Sequence, residues 1–351
     1  MTRSTAAGRR HAPAADSYRW HLAETLRRVA PRAGARVDLE PRFGFIGRIS
    51  FAGGRTSYFY RHLLDLNPLA SSALATDKDF ATHFLAEAGF PVIEGQVFYS
   101  PRVMRLLGSD RGLDAGYRYA RSLGWPVIVK PNSGSQGVGV SRVATRVDFY
   151  RAARACLRLD DVMIVQRFVT GRDFRLVVLD DKVIQAYERL PLTVVGDGRA
   201  TIRQLLARRE REFRRAGRDT RLDPTDPEIA LALSERRLSL DSVLPRARAA
   251  VLRANANLSS GGEAVDARAG LHPGFAKVAV RMTREMGLRI CGVDLLLRSG
   301  SLADAPTSYV VIEINARPGL DDFHTGGTAQ QHRVDALHVL LLKALRRRPG
   351  R

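Results

Sequence analysis

A lysine followed by a glycine-rich loop is the first segment of the chain whose residues could do chemistry. The apolar run Val127–Val129 leads into Lys130, and Gly134, Gly137 and Gly139 then allow the backbone to turn sharply. Such a loop can direct several backbone N–H groups at phosphate oxygens, with the lysine as a cationic contact. The lysine precedes the glycines, so this is not a Walker loop, and the spacing of a dinucleotide-binding fingerprint is missing. The pattern predicts phosphate binding; the alternative is a flexible hairpin with an incidental lysine.

Three oxygen-bearing side chains lie in two strongly apolar segments nearer the end of the chain. In the segment 309–315, the period-two geometry of a strand places Glu313 and Asn315 on one face, and Asp294 lies within a second apolar segment. Such oxygens are costly to bury unless they are paired or coordinate a cation. An all-oxygen set suits a hard cation, so the pattern predicts a Mg²⁺ site, with Mn²⁺ as a second candidate. The alternative is that Asp294 or Glu313 pairs with an arginine.

The composition is strongly basic, and almost all of the basic residues are arginines. The chain has 351 residues, 45% of them hydrophobic, and a formal net charge of +20. A basic surface favours polyanions such as nucleic acid, but the arginines are scattered apart from runs at 208–218 and 346–351. We therefore interpret the charge as solvated faces and nucleotide-compatible clefts rather than a nucleic-acid groove.

The apolar runs, the N-terminus and the two cysteines indicate the compartment in which we expect the protein. The runs are far too short to span a membrane, and the N-terminus lacks the apolar core of a secretory signal. We therefore expect a cytoplasmic protein without membrane contact. Cys156 and Cys291 cannot form a disulfide framework and show no metal-ligand spacing, so we expect them to be buried as small hydrophobic residues.

The elements that must position these residues alternate between helices and strands, with two antiparallel strand pairs among them. This order predicts a layered α/β or α+β architecture, of which we adopt the α+β class with the resemblance described below. The predicted boundaries are 1–15 for a disordered leader, 16–75 for a small N-terminal mixed segment, 76–345 for one main domain with lobes at 76–165 and 166–345, and 200–245 for a charged helical insertion in the second lobe.

The order of these motifs resembles the ATP-grasp superfamily of carboxylate–amine ligases. A strand ending in Lys130 and a glycine-rich loop are followed by the segment 166–175, then Asp294, then GluIleAsn and ProGly within 313–319. The resemblance covers about 76–320 and implies two α/β lobes around ATP.

Two further segments narrow the resemblance. Residues 193–202 and 254–266 are similar to the ligase domain of cyanophycin synthetases and to the ligase half of bifunctional glutathione synthetases. The loop sequence SerGlnGlyValGlyVal also resembles ribosomal-protein glutamylating ligases. The implied activity is formation of an amide bond through an acyl-phosphate.

The resemblance implies ATP and Mg²⁺ as cofactors and assigns a role to each matching residue. The implied ATP contacts are Lys78, Lys130, the loop residues Ser133, Gly134, Ser135, Gln136, Gly137, Val138 and Gly139, then Gln166, Arg167, Phe168 and Val169 around adenine, and Asp173 at the ribose. The implied metal ligands are Asp294, Glu313 and Asn315. The implied catalytic residues are Lys130 and Arg175. Arg317, which stands where relatives carry a small residue before the ProGly, is a further catalytic candidate. Arg175 could instead pair with Asp173.

Substrates are implied only as a class, an amino acid or a short peptide, and relatives suggest a homo-oligomer. The candidate substrate contacts are Arg189, Arg253, Arg317, Asn257, Ser259, Gly261 and Gly262, and each arginine could equally be a surface residue. His324 and His272 are candidate general bases. Two other functions stay open: a small-molecule kinase on the same scaffold, and a non-catalytic nucleic-acid-binding protein that uses its arginines.

Overall fold

The structure, a computed structural model, describes residues 21–134, 137–216, 218, 220–253, 255–320 and 328–347. The chain divides into two compact units: the first comprises Met1–Leu64 and His338–Arg351, and the second comprises Asp65–Leu337. Helices and antiparallel strands alternate along the chain, which confirms the predicted α+β class.

The helices and strands are bounded as follows. The α-helices are α1 (His21–Val29), α2 (Leu69–Leu74), α3 (Lys78–Glu87), α4 (Pro101–Leu107), α5 (Leu113–Leu123), α6 (Arg146–Leu159), α7 (Ile202–Arg215), α8 (Pro227–Ser234), α9 (Pro273–Glu285) and α10 (Thr328–Arg346). The strands are β1 (Ala35–Leu39), β2 (Ile46–Phe51), β3 (Thr56–Tyr60), β4 (Leu63–Leu64), β5 (Gly95–Tyr99), β6 (Val127–Pro131), β7 (Ser141–Val143), β8 (Val162–Arg167), β9 (Arg172–Leu179), β10 (Lys182–Leu190), β11 (Thr193–Val195), β12 (Ala249–Val251), β13 (Glu263–Asp266), β14 (Ile290–Leu297) and β15 (Tyr309–Asn315). Among the described helices, none has the length and apolar character needed to cross a bilayer.

The first unit contains a four-stranded antiparallel sheet in the order β1-β2-β3-β4, together with α1 and the last turns of α10. Burial alternates along β3, so that Ser57 and Phe59 face inward while Tyr58 and Tyr60 face outward. Val37 and Ile49 are buried on the same inner side as Phe59. The sheet therefore has one packed face and one exposed face.

In the second unit, an antiparallel sheet in the order β5-β8-β6-β7 carries α5 and α6. Its core consists of apolar side chains from these strands and helices, with Phe149 and Met163 fully buried. Thr145 caps α6 by accepting a hydrogen bond from Asp148 N, as this side chain commonly does at a helix start. This packing fixes β6, the strand that ends beside the glycine-rich loop.

A second antiparallel sheet of this unit runs β13-β10-β9-β14-β15. Every residue of β14 is buried, and α9 and α3 contribute to the core beneath the sheet, with Phe174, Leu176 and Phe275 at its centre. Asp294 therefore lies in a strand that offers it no access to water.

The region predicted as a charged helical insertion has a small core of its own. Helices α7 and α8 pack beside the β11-β12 pair, and their apolar residues form one cluster with Leu192 and Leu252. A capping box between Thr201 and Gln204 starts α7, in which each side chain bonds the other's backbone N–H. The many arginines of α7 lie mostly on its outer face.

Candidate functional site

The second unit contains a cavity of about 660 Å³ between its two larger sheets and the β11-β12 region. That volume lies within the range of about 300–1,000 Å³ that is usual for small-molecule sites. Three parts of the unit line it. The start of α3, β6, the glycine-rich loop and β7 contribute Lys78, Lys130, Ser133, Gly134, Gly137, Val138 and Arg142. The end of β8, the residues after it and the strands β9, β10 and β15 contribute Gln166, Arg167, Phe168, Val169, Asp173, Arg189 and Glu313, and the residues after α8 and β12 contribute Glu235, Arg236, Arg253, Asn255 and Asn257.

The N-terminus of α3 is bonded to the backbone that begins the glycine-rich loop. Asp77 caps the helix by accepting a hydrogen bond from Phe80 N at 3.0 Å. Lys78 donates its Nζ to the Gly134 carbonyl at 2.8 Å, and Asp79 N donates to Asn132 Oδ1 at 2.9 Å. These bonds hold the helix start, its lysine and the loop in one arrangement.

A carboxylate holds the other side of the loop. Asp160 Oδ2 accepts hydrogen bonds from both the backbone N–H and the hydroxyl of Ser133 at 2.7 Å, while its Oδ1 accepts from Val162 N. Because Asp160 follows α6 and precedes β8, it fixes the loop to the rigid sheet. The sequence contained no pattern that marked Asp160 for this positioning.

Lys130 is a buried cation that faces the cavity. Burial lowers the pKa of its amine to about 8, while the Glu313 carboxylate raises that pKa in part and the Lys78 amine lowers it. Among the described residues, no carboxylate oxygen lies within ion-pair distance of the amine of Lys78 or Lys130. Both amines therefore remain available to an anionic ligand.

Strand register brings the predicted metal ligands together. Arg175 on β9 lies directly across from Asp294 on β14, and Asp294 lies directly across from Glu313 on β15. The Asn315 amide donates to Glu313 Oε1 at 3.2 Å and to Asp294 Oδ2 at 3.5 Å. The three residues thus form one cluster on a single face of the sheet.

Asp294 is the centre of a buried ion network. Its two oxygens accept from Arg175 Nε and Nη2, each at 2.6 Å, and its Oδ2 also lies 2.9 Å from Arg189 Nη2. Arg189 bonds Asp173 Oδ1 at 2.7 Å as well. Arg175 therefore pairs with Asp294, and Asp173 pairs with Arg189, whereas the sequence had left open a pairing of Arg175 with Asp173. Arg189 is only 6% exposed and is not a surface arginine.

Burial and pairing act in opposite directions on these groups. Burial alone would raise the pKa of Asp294, but Arg175 and Arg189 hold it below its ordinary value. Burial would lower the pKa of Arg175, and the Asp294 carboxylate raises it well above the ordinary value. For Asp173 the ion pair offsets burial only in part: burial raises the pKa of its carboxyl to about 6, although Arg189 lowers it.

The donor set can be compared with what a divalent cation needs. Glu313 lines the cavity, its side chain is 28% exposed, and Arg175 comes no closer to it than 3.9 Å. Asn315 is half-buried beside it, whereas the oxygens of Asp294 already serve two arginines. In the described ranges there is no cluster of three or more His, Cys, Asp or Glu side chains suited to a metal. An oxygen site at Glu313 and Asn315 fits Mg²⁺, with Asp294 behind it.

The predicted adenine segment forms one wall of the cavity. Gln166 is buried, and its amide donates to the Ile93 carbonyl. Phe168 lies under the guanidinium of Arg142, whose carbon is 4.9 Å from the ring centroid. Arg142 also pairs with Glu235 at 2.6 Å, which links β7 to the residue after α8. Sequence reasoning missed both Arg142 and Glu235, because only the fold brings them together.

Some of the residues predicted to contact substrate line the cavity, and others lie in the turn behind its wall. Asn257 lines the cavity, and a Cβ on Gly137 would lie 2.5 Å from its Nδ2, so this loop touches the glycine-rich loop directly. Gly261 and Gly262 are buried in the turn behind it, and a Cβ on Gly262 would meet the Ala256 carbonyl at 2.6 Å. Arg253 lines the cavity and pairs with Asp226.

Other predicted residues lie away from the cavity or outside the described part of the chain. Ser259 and Arg317 are exposed and do not contribute to its wall. His272 caps α9, since its Nδ1 accepts from Gly274 N at 3.0 Å. Ser135, Gln136 and His324 lie outside the described residues. Arg167, by contrast, lines the cavity and pairs with Glu94 at 2.7 Å.

Two family models match the chain. Residues 84–196 match the model described as the D-Ala D-Ala ligase C-terminus, and residues 244–336 match the model described as the RimK-like ATP-grasp domain. The first match contains Lys130, the glycine-rich loop and the predicted adenine segment. The second contains Asn257 and the Asp294, Glu313 and Asn315 cluster.

Two curated relatives and one solved structure are also similar to this chain. The chain is 32% identical over 264 residues to cyanophycin synthetase of Trichormus variabilis, which covers 73% of the chain and 28% of that relative. It is 30% identical over 246 residues to the glutathione biosynthesis bifunctional protein GshAB of Streptococcus mutans, covering 67% of the chain and 31% of that relative. A bifunctional glutathione synthetase from Pasteurella multocida superposes with a TM-score of 0.55 at 24% identity, covering 88% of the chain and 42% of that structure. The chain therefore spans less than a third of these curated relatives, and the structural likeness concerns the fold.

Proposed function

Because the chain carries an ATP-grasp ligase domain, as the order of its motifs predicted, we propose that it joins a carboxylate to an amine at the expense of ATP. The observation that carries the proposal is the distribution of charge in the cavity. Two lysines, Lys78 and Lys130, line the cavity next to the glycine-rich loop, and Glu313 lines the same cavity close enough to act electrostatically on the Lys130 amine. This is the arrangement that a nucleotide triphosphate with a divalent cation requires.

The proposed chemistry has two steps. In the first, a carboxylate oxygen of the substrate attacks the γ-phosphorus of ATP, and the bond to the bridging oxygen breaks, which releases ADP. In the second, an amine attacks the acyl carbon of the acyl-phosphate, phosphate leaves with the bonding electrons, and the amine loses a proton. Both steps depend mainly on positioning and on neutralisation of charge.

The residues of this chain can supply both requirements. Lys130 and Lys78 would neutralise phosphate oxygens, and the backbone N–H groups after Gly134 would bond them. Asp160 and Asn132 would keep that loop and the start of α3 in register. Gln166–Val169 would hold the adenine, and Asp173 the ribose.

A divalent cation would be held by Glu313 and Asn315, with Asp294 joining them as its contacts with arginine are exchanged. Bound there, Mg²⁺ would offset the charge of the transferring phosphoryl group. Release of Asp294 would also free Arg175 to turn towards the cavity. Arg175 would then be the third cation at the reacting phosphate.

The substrates we propose are an amino acid or a short peptide. Arg253, half-buried at the cavity wall next to Asn257, is the arginine best placed to meet a substrate carboxylate. The curated relatives named above supply the substrate class by analogy only.

The proposal is tested by incubating the protein with ATP, Mg²⁺ and pairs of amino acids or dipeptides. Free phosphate is measured, and mass spectrometry identifies the condensed product. Phosphate release that requires both substrates supports a ligase, whereas a stable phosphate ester would indicate a kinase.

Two variants and one matched control sharpen the test. We expect Lys130→Ala and Glu313→Ala each to lower turnover by at least about 10²–10³-fold, the usual loss for a transition-state contact. Lys182→Ala, which removes an exposed lysine at the start of β10, should leave turnover unchanged. Wild-type turnover in the first two variants would refute the assignment.

A further inference from the structure

The part of β15 that carries Glu313 and Asn315 is held to the sheet by a short stretch of pairing. Three cross-strand pairs hold it, which are Asp294↔Glu313, Val293↔Ile314 and Gly292↔Asn315. Before these pairs the register shifts at Ile312, where β15 contains one residue more than β14. After them the strand ends. A slip of one residue would turn both side chains to the other face of the sheet, so the cation site depends on what fixes this register.

The side chain of Asn67 connects the two strands at the point where β15 ends. Its Nδ2 donates hydrogen bonds to the Ala316 carbonyl at 2.9 Å and to the Ile290 carbonyl at 2.8 Å. Its Oδ1 accepts from Ile290 N at 2.9 Å and from Arg289 N at 2.8 Å. These four bonds use both N–H groups and both lone pairs of the amide. One side chain therefore bonds the residue after β15 and the first residue of β14.

The amide of Asn67 takes the place of the next rung of the sheet. Continued pairing would bring Arg317 opposite Ile290, but β15 ends two residues earlier. The N–H and carbonyl of Ile290 point towards this edge of β14, because on the β9 side it is the neighbouring Arg289 carbonyl that accepts, from Asp180 N. A side-chain amide carries the same donor and acceptor as a peptide group, so Asn67 satisfies both groups of Ile290.

A second contact holds β15 on the other side of Glu313. The backbone N–H of Val311 donates to the Pro91 carbonyl at 2.7 Å. Asn67 precedes α2 and Pro91 follows α3, so one continuous stretch of chain bonds this edge strand on both sides of its cation-ligand segment. The contact at Asn67 is made by a side chain, and a substitution can therefore remove it.

We propose that Asn67 is a positioning residue for the divalent-cation site. Its bond to the Ala316 carbonyl fixes the end of β15, and so keeps the oxygens of Glu313 and Asn315 at the spacing that a cation requires. Asn67 itself lies outside the cavity wall that the described residues form, so it acts through the strand and not by contact with a ligand. This inference rests on the function proposed above, because the cation site belongs to that function.

Fluorescence titration of the full chain with methylanthraniloyl-ADP, in saturating Mg²⁺ and again in EDTA, tests the inference. The ratio of the two affinities measures what the cation contributes. We expect Asn67→Ala to lower this ratio by about tenfold, the lower end of the usual loss for a residue that supports metal ligands. The affinity in EDTA should change by less than about twofold, since Lys78 is held by its own bond to the glycine-rich loop.

Two further variants separate the bond to β15 from general loosening of β14. Asn67→Asp keeps an acceptor for Ile290 N and loses the donor to Ala316, so it should lower the ratio as Asn67→Ala does. The matched control is Asp180→Asn, which removes the carboxylate partner of Arg289 at the same strand start but leaves the bond to Ala316. Asparagine tolerates the φ of +53° at position 180, so this control should keep the wild-type ratio. Urea denaturation confirms that each variant is folded at the assay temperature.

The possible results distinguish this inference from the proposed function. A wild-type ratio in folded Asn67→Ala or Asn67→Asp would show that the end of β15 does not control the cation site. An equal fall in Asp180→Asn would assign the effect to β14 as a whole and would also overturn the inference. If the affinity of the wild-type chain for the nucleotide does not depend on Mg²⁺, the proposed function fails and the inference fails with it.

Discussion

The lysines and the arginines around the cavity carry the same charge but differ in their partners. Arg175 and Arg189 are committed to carboxylates, with Asp294 bonded to both at 2.6–2.9 Å. Lys78 and Lys130 are bonded by no carboxylate in the described ranges, and Lys78 donates instead to a backbone carbonyl. The arginines are therefore committed to carboxylates of the sheet, whereas the two lysine amines remain available to an anion.

This difference separates charged groups that a ligand can bind directly from charged groups whose existing ion pairs the ligand must first break. A phosphate that meets Lys130 does not have to break an ion pair, since no carboxylate of the described residues lies within ion-pair distance of the amine. A cation that meets Asp294 must compete with two guanidiniums that are themselves buried. Substitutions in the network around Asp294 should therefore mainly lower stability, whereas substitutions of the cavity lysines should mainly lower activity.

The largest effect on stability is expected from Asp294→Ala. The change leaves Arg175 and Arg189 buried without their shared counter-ion, and an unpaired buried charge typically costs about 3–5 kcal/mol. Urea denaturation should show this loss in the free energy of unfolding. The matched control is Asp38→Ala, which removes a carboxylate that also pairs with two arginines but lies on an exposed sheet face. Equal losses in the two variants would contradict the distinction between the regions.

The local part of the site could be predicted from the sequence. The start of α3 at Asp77, the strand that ends at Lys130, and the shared face of Glu313 and Asn315 all follow from caps and periodicity. The start of α4 is also marked in the sequence, because Ser100 caps the helix and Pro101 occupies its first position.

The partners of the charged residues could not be predicted. Arg175 meets Asp294 because β9 and β14 pair in one register across 119 positions of sequence, and no local pattern specifies that register. Arg142 and Glu235 likewise come from different sheets or helices. Period-two alternation predicts which face a residue occupies, but pairing across the sheet decides what it touches.

A smaller effect, and one that depends on pH, is expected from Lys130→Met. Burial lowers the pKa of this amine from 10.5 to about 8, so the folded protein binds fewer protons than the unfolded chain between these values. The cost of burying the ammonium is therefore fully present below pH 8 and disappears as the pH rises to 10.5. Relative to Lys130→Met, the wild type should gain roughly 2–3 kcal/mol over that interval.

The measurement is the difference in the free energy of unfolding between wild type and Lys130→Met at pH 7 and at pH 10. Because methionine has nearly the same length and carries no charge, the variant should be at least as stable at pH 7. A variant that is less stable at pH 7 would mean that the amine makes a structural ion pair, and the contrast with the arginines would fail.

The smallest effect is expected from Gly137→Ala, which tests the loop that would bring phosphate to the lysines. Gly137 has a φ of +76°, and its new Cβ would lie 2.5 Å from the Asn257 amide. The backbone conformation alone should cost about 1 kcal/mol of stability. Displacement of the loop should in addition raise the KM for ATP roughly fivefold, as a loss of about 1 kcal/mol in binding implies. Gly108→Ala separates the two contributions, because Gly108 has a φ of +61° and its Cβ would meet nothing within 4 Å. It should show the loss of stability and an unchanged KM, and an equal rise of KM in both variants would show that contact between the two loops does not shape the ATP site.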